Sequence, residues 1–321
     1  MTDPYFQTLF VVRMVVALLV SIVGGGGCAW AEVATSSIQI LPVKNSFATI
    51  LNDKHPGNRL GYRFHEHSPI VFGASPASDA DAGIHAEEVN KLEREFQQAP
   101  RVFVFKHHQL ETDEWLPQDW TFFLRPVADG VEMLWIVATQ DDGLPEYHGV
   151  QQCFRLSGGT NEAWRQEIAK TPAFSEYDLW AMQNQAGEMA SLTYVLRDGQ
   201  WQALPASKSA VGARTPLGVD FDGRRSGGAL MQYVGPYQAE MLSPIEHGLI
   251  VRNNLPETWV TGLYWQRTSH VTVHHPADCL HAIVNIGGIP PHSRRAIRGK
   301  IYWFAGDKRD LLKHFQCDFA K

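Results

Sequence analysis

Hydrophobic positions from Arg101 onward gather in short, aromatic or β-branched, strand-like runs separated by polar turn residues. Arg101 to Phe105 alternates around Val102 and Val104, and the runs Trp120 to Val127 and Met133 to Thr139 flank the turn signal Asp129-Gly130. Val150 to Leu156, Ser191 to Leu196, Leu230 to Val234, Leu249 to Arg252, Trp259 to Thr268, Cys279 to Ile286 and Lys300 to Phe304 continue the series. So many short strands in one chain predict a mostly β fold, an antiparallel β-sandwich of jelly-roll or supersandwich type. Helical spacing is rarer. Glu87 to Gln97 places Val89, Leu92 and Phe96 on one stripe, Asn161 to Lys170 reads as a short helix, and Asp307 to Phe319 predicts a C-terminal helix that packs on the sandwich. Val33 to Ala80 is rich in Pro, Gly and Ser and reads as loops or an edge strand.

The N-terminus departs from this pattern. Arg13 precedes an apolar run from Met14 to Val23, which is followed by four glycines and the small-residue ending Ala29-Trp30-Ala31. That order is expected of a cleavable secretory signal over residues 1–31, with residues 32–321 as one domain, secreted or periplasmic. The apolar run is about half the ~20 residues a bilayer-spanning helix needs, so no transmembrane span is expected in the mature protein. Cys28 raises a lipoprotein-type site, but Gly25 stands where a large aliphatic residue is expected.

Twenty-eight Lys and Arg face 34 Asp and Glu, a formal net charge of −6 that argues against a general nucleic-acid surface. Beyond the signal stand Cys153, Cys279 and Cys317, too few and too scattered for a disulfide framework. They read as small buried hydrophobes, with one pairing left open.

Candidate chemistry concentrates between Tyr264 and His281. A strand over Cys279 to Ile286 puts Leu280, Ala282, Val284 and Ile286 on a core face and Cys279, His281, Ile283 and Asn285 on the other. His270, His274 and His275 then fall in the preceding turn. His281 or His270 as the proton-transfer group, with Arg267, Asn285 and Tyr264 holding or protonating a substrate, makes a candidate catalytic set. His274, His275 and Asp278 are candidate metal ligands of the kind Zn²⁺ takes, and the acidic loop Asp141 to Gly149 is a candidate holder of Ca²⁺, but nothing in the spacing requires either ion. The loop Asp141 to Gly149 adds Glu146, Tyr147 and His148, and with Trp115 these form a candidate sugar-binding set, since flat aromatic faces stack on sugar rings. The carboxylates of that loop also suit glycoside hydrolysis. No nucleophile elbow, Walker A loop, dinucleotide fingerprint or C-x-x-C pair occurs.

The stretches H-H-P-A-D-C-L-H, I-P-P-H-S-R-R-A-I-R-G-K-I-Y-W and E-T-D-E-W-L-P-Q-D-W-T-F-F-L-R-P-V resemble an uncharacterised group of secreted planctomycete-type bacterial proteins, which carries no activity with it. In strand count and aromatics the chain is also similar to galactose-mutarotase-like and polysaccharide-lyase β-sandwiches, an analogy of fold class only. The expectation is an exported carbohydrate-active protein, a lyase or hydrolase of an acidic or sulfated polysaccharide. The alternatives are a non-catalytic carbohydrate-binding module and an envelope protein-interaction domain.

Overall fold

The computed structural model describes residues 37–44, 47–54, 59–72, 86–99, 101–106, 119–156, 193–204, 211–218, 240–242, 244–253, 257–274 and 279–319. In chain order these hold β1 (Ile38–Lys44), β2 (Phe47–Asn52), β3 (Arg59–Phe72), α1 (Ala86–Gln98), β4 (Phe103–Lys106), β5 (Asp119–Val127), β6 (Gly130–Ala138) and β7 (Tyr147–Leu156). There follow β8 (Thr193–Arg197), β9 (Gln200–Ala203), β10 (Val211–Arg214), β11 (Glu240–Leu242), β12 (Ile250–Asn253), β13 (Trp259–Trp265), β14 (Thr268–His274), β15 (Cys279–Asn285), β16 (Arg294–Ala305) and α2 (Lys308–Phe319).

The strands form two eight-stranded sheets. The first runs β1-β2-β3-β7-β15-β14-β10-β11 and the second β4-β5-β6-β16-β13-β12-β8-β9. The pairings are antiparallel except β10 with β11, so the fold is the expected β-sandwich. Alternation fills its centre: Leu280, Ala282 and Val284 of β15, Val271 and Val273 of β14, and Val150 and Phe154 of β7 meet Phe122, Trp135, Leu263, Trp265, Ile301 and Trp303 of the second sheet in one cluster. Phe122 stacks on Trp135 with centroids 4.7 Å apart, and Trp265 meets Trp135 edge-on at 6.1 Å. Gly299 lies opposite Trp265 in register, where a Cβ would stand 2.5 Å from the indole. A polar bridge crosses this core: Trp265 Nε1 donates to Tyr62 Oη at 3.2 Å, and Tyr62 Oη donates to Gln152 Oε1 at 2.6 Å. Burial pushes the Tyr62 phenol well up, so it stays protonated and keeps donating.

Both helices cover the outer face of the second sheet. Val89 and Phe96 of α1 pack on Phe123, Leu134, Ile136 and Ala296. Leu311 and Phe315 of α2 pack on Leu249, Val251, Val260 and Tyr302. Asp307 caps α2 by accepting from the backbone N–H of Arg309 and Asp310.

Three expectations are corrected. The segment read as loops or an edge strand carries β1, β2 and β3, with β3 fourteen residues long and paired to β7 inside the sheet. His270 and the backbone of His274 lie within β14, a strand, and not in a turn. Tyr264 and His270, close in sequence, lie in different sheets, because the chain crosses the sandwich between β13 and β14. The expected strand at Leu230 to Val234 and helix at Asn161 to Lys170 lie outside the described residues.

Candidate functional site

The outer face of the first sheet is polar where the three strands β7, β15 and β14 run side by side. Register pairs Cys153 with His281 and His281 with Thr272, and pairs Gln151 with Ile283 and Ile283 with His270. All six lie on the face away from the core and are buried, His270 completely and His281 5% exposed.

A β-bulge shapes the site. Between Thr268 and His270 the register with β15 shifts by one residue, which turns Ser269 toward the same outer face as His270. Ser269 Oγ donates to the Ile283 carbonyl at 2.9 Å and lies 2.8 Å from Tyr147 Oη and 3.1 Å from His270 Nδ1. The Tyr147 ring reaches this serine from β7, across β15, by lying over Gly149. A Cβ on that glycine would stand 2.8 Å from the phenol oxygen and 3.0 Å from the Ile283 side chain. Burial raises the Tyr147 pKa against the opposing hydrogen bond from Ser269, so the phenol is a proton donor through neutral pH. Tyr147, Ser269 and His270 thus form a buried hydroxyl-to-imidazole chain, an arrangement able to hold or pass a proton.

His281 is oriented separately, with its Nδ1 3.0 Å from Thr272 Oγ1. Its Sγ neighbours are close: one ring nitrogen of His281 and the sulfurs of Cys153 and Cys279 all lie within 4.8 Å of one another, the one potential metal-holding group found among the described residues. Cys153 and Cys279 are thiols, and Cys317 is disulfide-bonded.

The other expected site residues are placed elsewhere. Asn285 serves the backbone: its Oδ1 accepts from His148 N at 3.0 Å and Gly287 N at 2.8 Å, and its Nδ2 faces the Glu146 carbonyl. Arg267 Nε donates to the Asn285 carbonyl at 2.7 Å. Tyr264 sits on the second sheet against Phe315 and Phe319 of α2, its pKa pushed up to about 12 by burial against the opposing charge of Arg298. His148 faces away from Tyr147 and is buried, and desolvation lowers its pKa to about 4. Glu146 is exposed in the loop before β7. Trp115, His275, Asp278 and the side chain of His274 lie outside the described residues. Sequence reasoning missed Cys153, Gly149, Ser269 and Thr272 as site residues. The signals were a Tyr-x-Gly pair sharing one strand face and the alternation S-H-V-T-V, whose valines face the core.

Neither a protein-family model nor a curated protein sequence matches the chain. Among solved structures it is similar to the Slr1438 protein of Synechocystis sp. PCC 6803, with a TM-score of 0.39, 8% identity, and coverage of 85% of this chain and 93% of that one. It is also similar to an alpha-N-acetylgalactosaminidase of Bifidobacterium bifidum in complex with GalNAc, at TM-score 0.36 and 10% identity over 88% of this chain; it spans only 37% of that enzyme. A third likeness is to a proposed aldose 1-epimerase of Escherichia coli K12, at TM-score 0.34 and 11% identity, covering 84% of this chain and 99% of that one. Likenesses this distant carry no activity over to this chain.

Proposed function

We propose that the protein is an exported, carbohydrate-active protein whose working centre is the polar outer face of the first sheet, with His270 as the proton-transfer group. The observation that carries this reading is the Tyr147–Ser269–His270 chain on a face where packing alone would favour apolar groups. Its reaction class is proton abstraction or delivery at a glycosidic linkage of an acidic polysaccharide, as a lyase or hydrolase. Ser269 lies 3.1 Å from His270 Nδ1 and orients the imidazole for proton exchange. Asn285 and Arg267 support the site through their contacts with the backbone beside it.

The full chain is incubated with neutral, uronic and sulfated polysaccharides while new reducing ends and unsaturated-product absorbance are followed together. The expected result is product from an acidic polymer, reduced by roughly 10²–10⁴-fold in His270→Asn, the range of general acid–base catalysis. Full turnover in His270→Asn would refute the assignment.

The complete burial of His270 favours a second reading, a non-catalytic carbohydrate-binding module in which the chain only stiffens the sheet. Retention on a polysaccharide without product, unchanged in His270→Asn, would select it.

A further inference from the structure

We infer that Cys153, Cys279 and His281 form a binding site for a single thiophilic cation, Zn²⁺ first. The inference is independent of the carbohydrate reading and uses neither His270 nor Tyr147.

Three strand positions converge to make the site. Cys153 on β7 is the direct register partner of His281 on β15, and Cys279 stands two residues before His281 on the same face. Their donor atoms already lie within 4.8 Å of one another. Tetrahedral Zn²⁺ with bonds of about 2.3 Å to sulfur and 2.0–2.1 Å to nitrogen sets its donors roughly 3.5–3.8 Å apart, so a small side-chain contraction completes the set. Two thiolates and an imidazole are a soft donor combination that selects Zn²⁺ over Ca²⁺ or Mg²⁺. The His281 ring is also held from behind: when Thr272 Oγ1 accepts from Nδ1–H, the lone pair that meets the metal is on Nε2. All three ligands are buried, Cys153 completely, Cys279 to 1% and His281 to 5% exposed, as for a site held inside the protein. The fourth position falls to water or a further donor.

The same two sulfurs invite comparison with a disulfide, and strand geometry decides against it. Cys279 is paired with Arg155 and Cys153 with His281, so the cysteines are diagonal neighbours. Diagonal positions stand about 7–8 Å apart between Cα atoms, beyond the roughly 4.4–6.8 Å that a disulfide spans. Cation binding instead asks only that both thiols release their protons to solvent as the two metal–sulfur bonds form.

The test is a titration of the full chain, purified reduced and metal-free, with Co²⁺ and then Zn²⁺. The expected result is one Co²⁺ per chain with thiolate-to-cobalt charge transfer and the intense visible bands of tetrahedral coordination, abolished by one equivalent of Zn²⁺. Cys153→Ser, Cys279→Ser and His281→Asn are each expected to weaken Zn²⁺ binding by more than tenfold, while His270→Asn binds normally. Absence of the charge-transfer band in the wild-type chain overturns the inference, as does undiminished binding in the Cys153→Ser/Cys279→Ser double variant. So does the finding, in chain purified without reductant, of peptides joined through Cys153 and Cys279. If a variant fails to fold, the wild-type spectrum decides alone, because charge transfer reports the thiolate–metal bond directly. Loss of the carbohydrate reading in the polysaccharide assay leaves every one of these readouts unaffected.

Discussion

The outer faces of the two sheets are both buried at their centres, yet they are built from opposite materials. The second sheet presents Phe123, Leu134, Ile136, Val251 and Val260 to α1 and α2, and its polar groups neutralise one another. Lys300 Nζ donates to Asp129 at 2.9 Å and Asp318 at 2.8 Å, His314 Nδ1 lies 2.7 Å from Asp129, and Tyr302 Oη donates to Asp318 at 2.9 Å. The first sheet presents imidazole, thiol, hydroxyl and amide groups in the corresponding place. A helix-sealed face needs polar groups only to balance charge. A face that keeps two histidines, two thiols and a bulge-directed serine on its three central strands spends packing area on chemistry.

The largest expected effect lies on the sealed face. Lys300 is nearly buried between two carboxylates, and although burial alone would lower its pKa, the charges of Asp129 and Asp318 reverse that and raise it. Burial pushes Asp129 up, but hydrogen bonds from His314 and Lys300 and their charges bring it below the usual carboxylate value. Lys300→Met removes the cation that the two carboxylates share, leaves His314 as the remaining partner of Asp129, and is expected to cost about 3 kcal/mol in urea unfolding, the lower end for breaking a buried pair. His270→Asn, on the other face, is expected to cost less than about 1 kcal/mol, since it keeps a polar group beside Ser269. Equal losses in the two variants would erase the distinction between a face that stabilises and a face that acts.

The next effect is set by pH. Neither ring nitrogen of His148 has a hydrogen-bond partner among the described residues, and burial lowers its pKa to about 4. The unfolded chain, titrating near 6.5, therefore takes up the proton first, and stability that is complete above that pH declines as pH falls toward 4. The loss amounts to about 3 kcal/mol at its limit. His148→Leu is expected to flatten this part of the urea-midpoint profile between pH 7 and pH 4 relative to the wild type. Identical profiles would place the acid sensitivity in other groups.

Asn285→Ala comes third. It removes the acceptor for the His148 and Gly287 amides, both buried, and is expected to cost about 2 kcal/mol. Gly287 is closely approached by backbone, since a Cβ there would stand 2.4 Å from the Pro145 carbonyl oxygen and 2.6 Å from the His148 amide nitrogen. Asn285→Asp, which keeps the accepting oxygen, should restore most of the loss in thermal unfolding. If both substitutions are equally harmful, the side chain does more than hold backbone.

What could be read from the sequence follows from how far apart the partners lie along the chain. β5, β6, β15, β16 and both helices show their period in a single window, because one face of each meets the core. β10 has four residues, two of them Gly and Ala, and exists through its ladder with β14; no local pattern announces it. β14 was hidden by its own chemistry, since T-S-H-V-T-V-H reads as a polar turn until Val271 and Val273 are seen to be the inward set. The face bearing His281 was legible, but its partner Cys153 lies far upstream, on a strand brought beside β15 by sheet order alone. Tyr264 was misplaced for the converse reason, as a two-residue connection carried its neighbours into the other sheet.

The smallest expected effect tests the acting face at its most economical point. Tyr147→Phe keeps the ring over Gly149 and deletes only the hydroxyl beside Ser269. A neutral buried hydrogen bond contributes about 1 kcal/mol, and Ser269 retains the Ile283 carbonyl as acceptor, so the urea midpoint should move by no more than that. Turnover should fall further than stability, because the hydroxyl stands at the end of the chain that orients the His270 imidazole. Gly149→Ala serves as the contrasting variant: it keeps every polar group but forces the ring, and the hydroxyl with it, to shift. If Gly149→Ala lowers turnover and Tyr147→Phe does not, the ring's position matters and its proton does not, and the hydroxyl chain is packing; the opposite order makes it the working part of the first sheet.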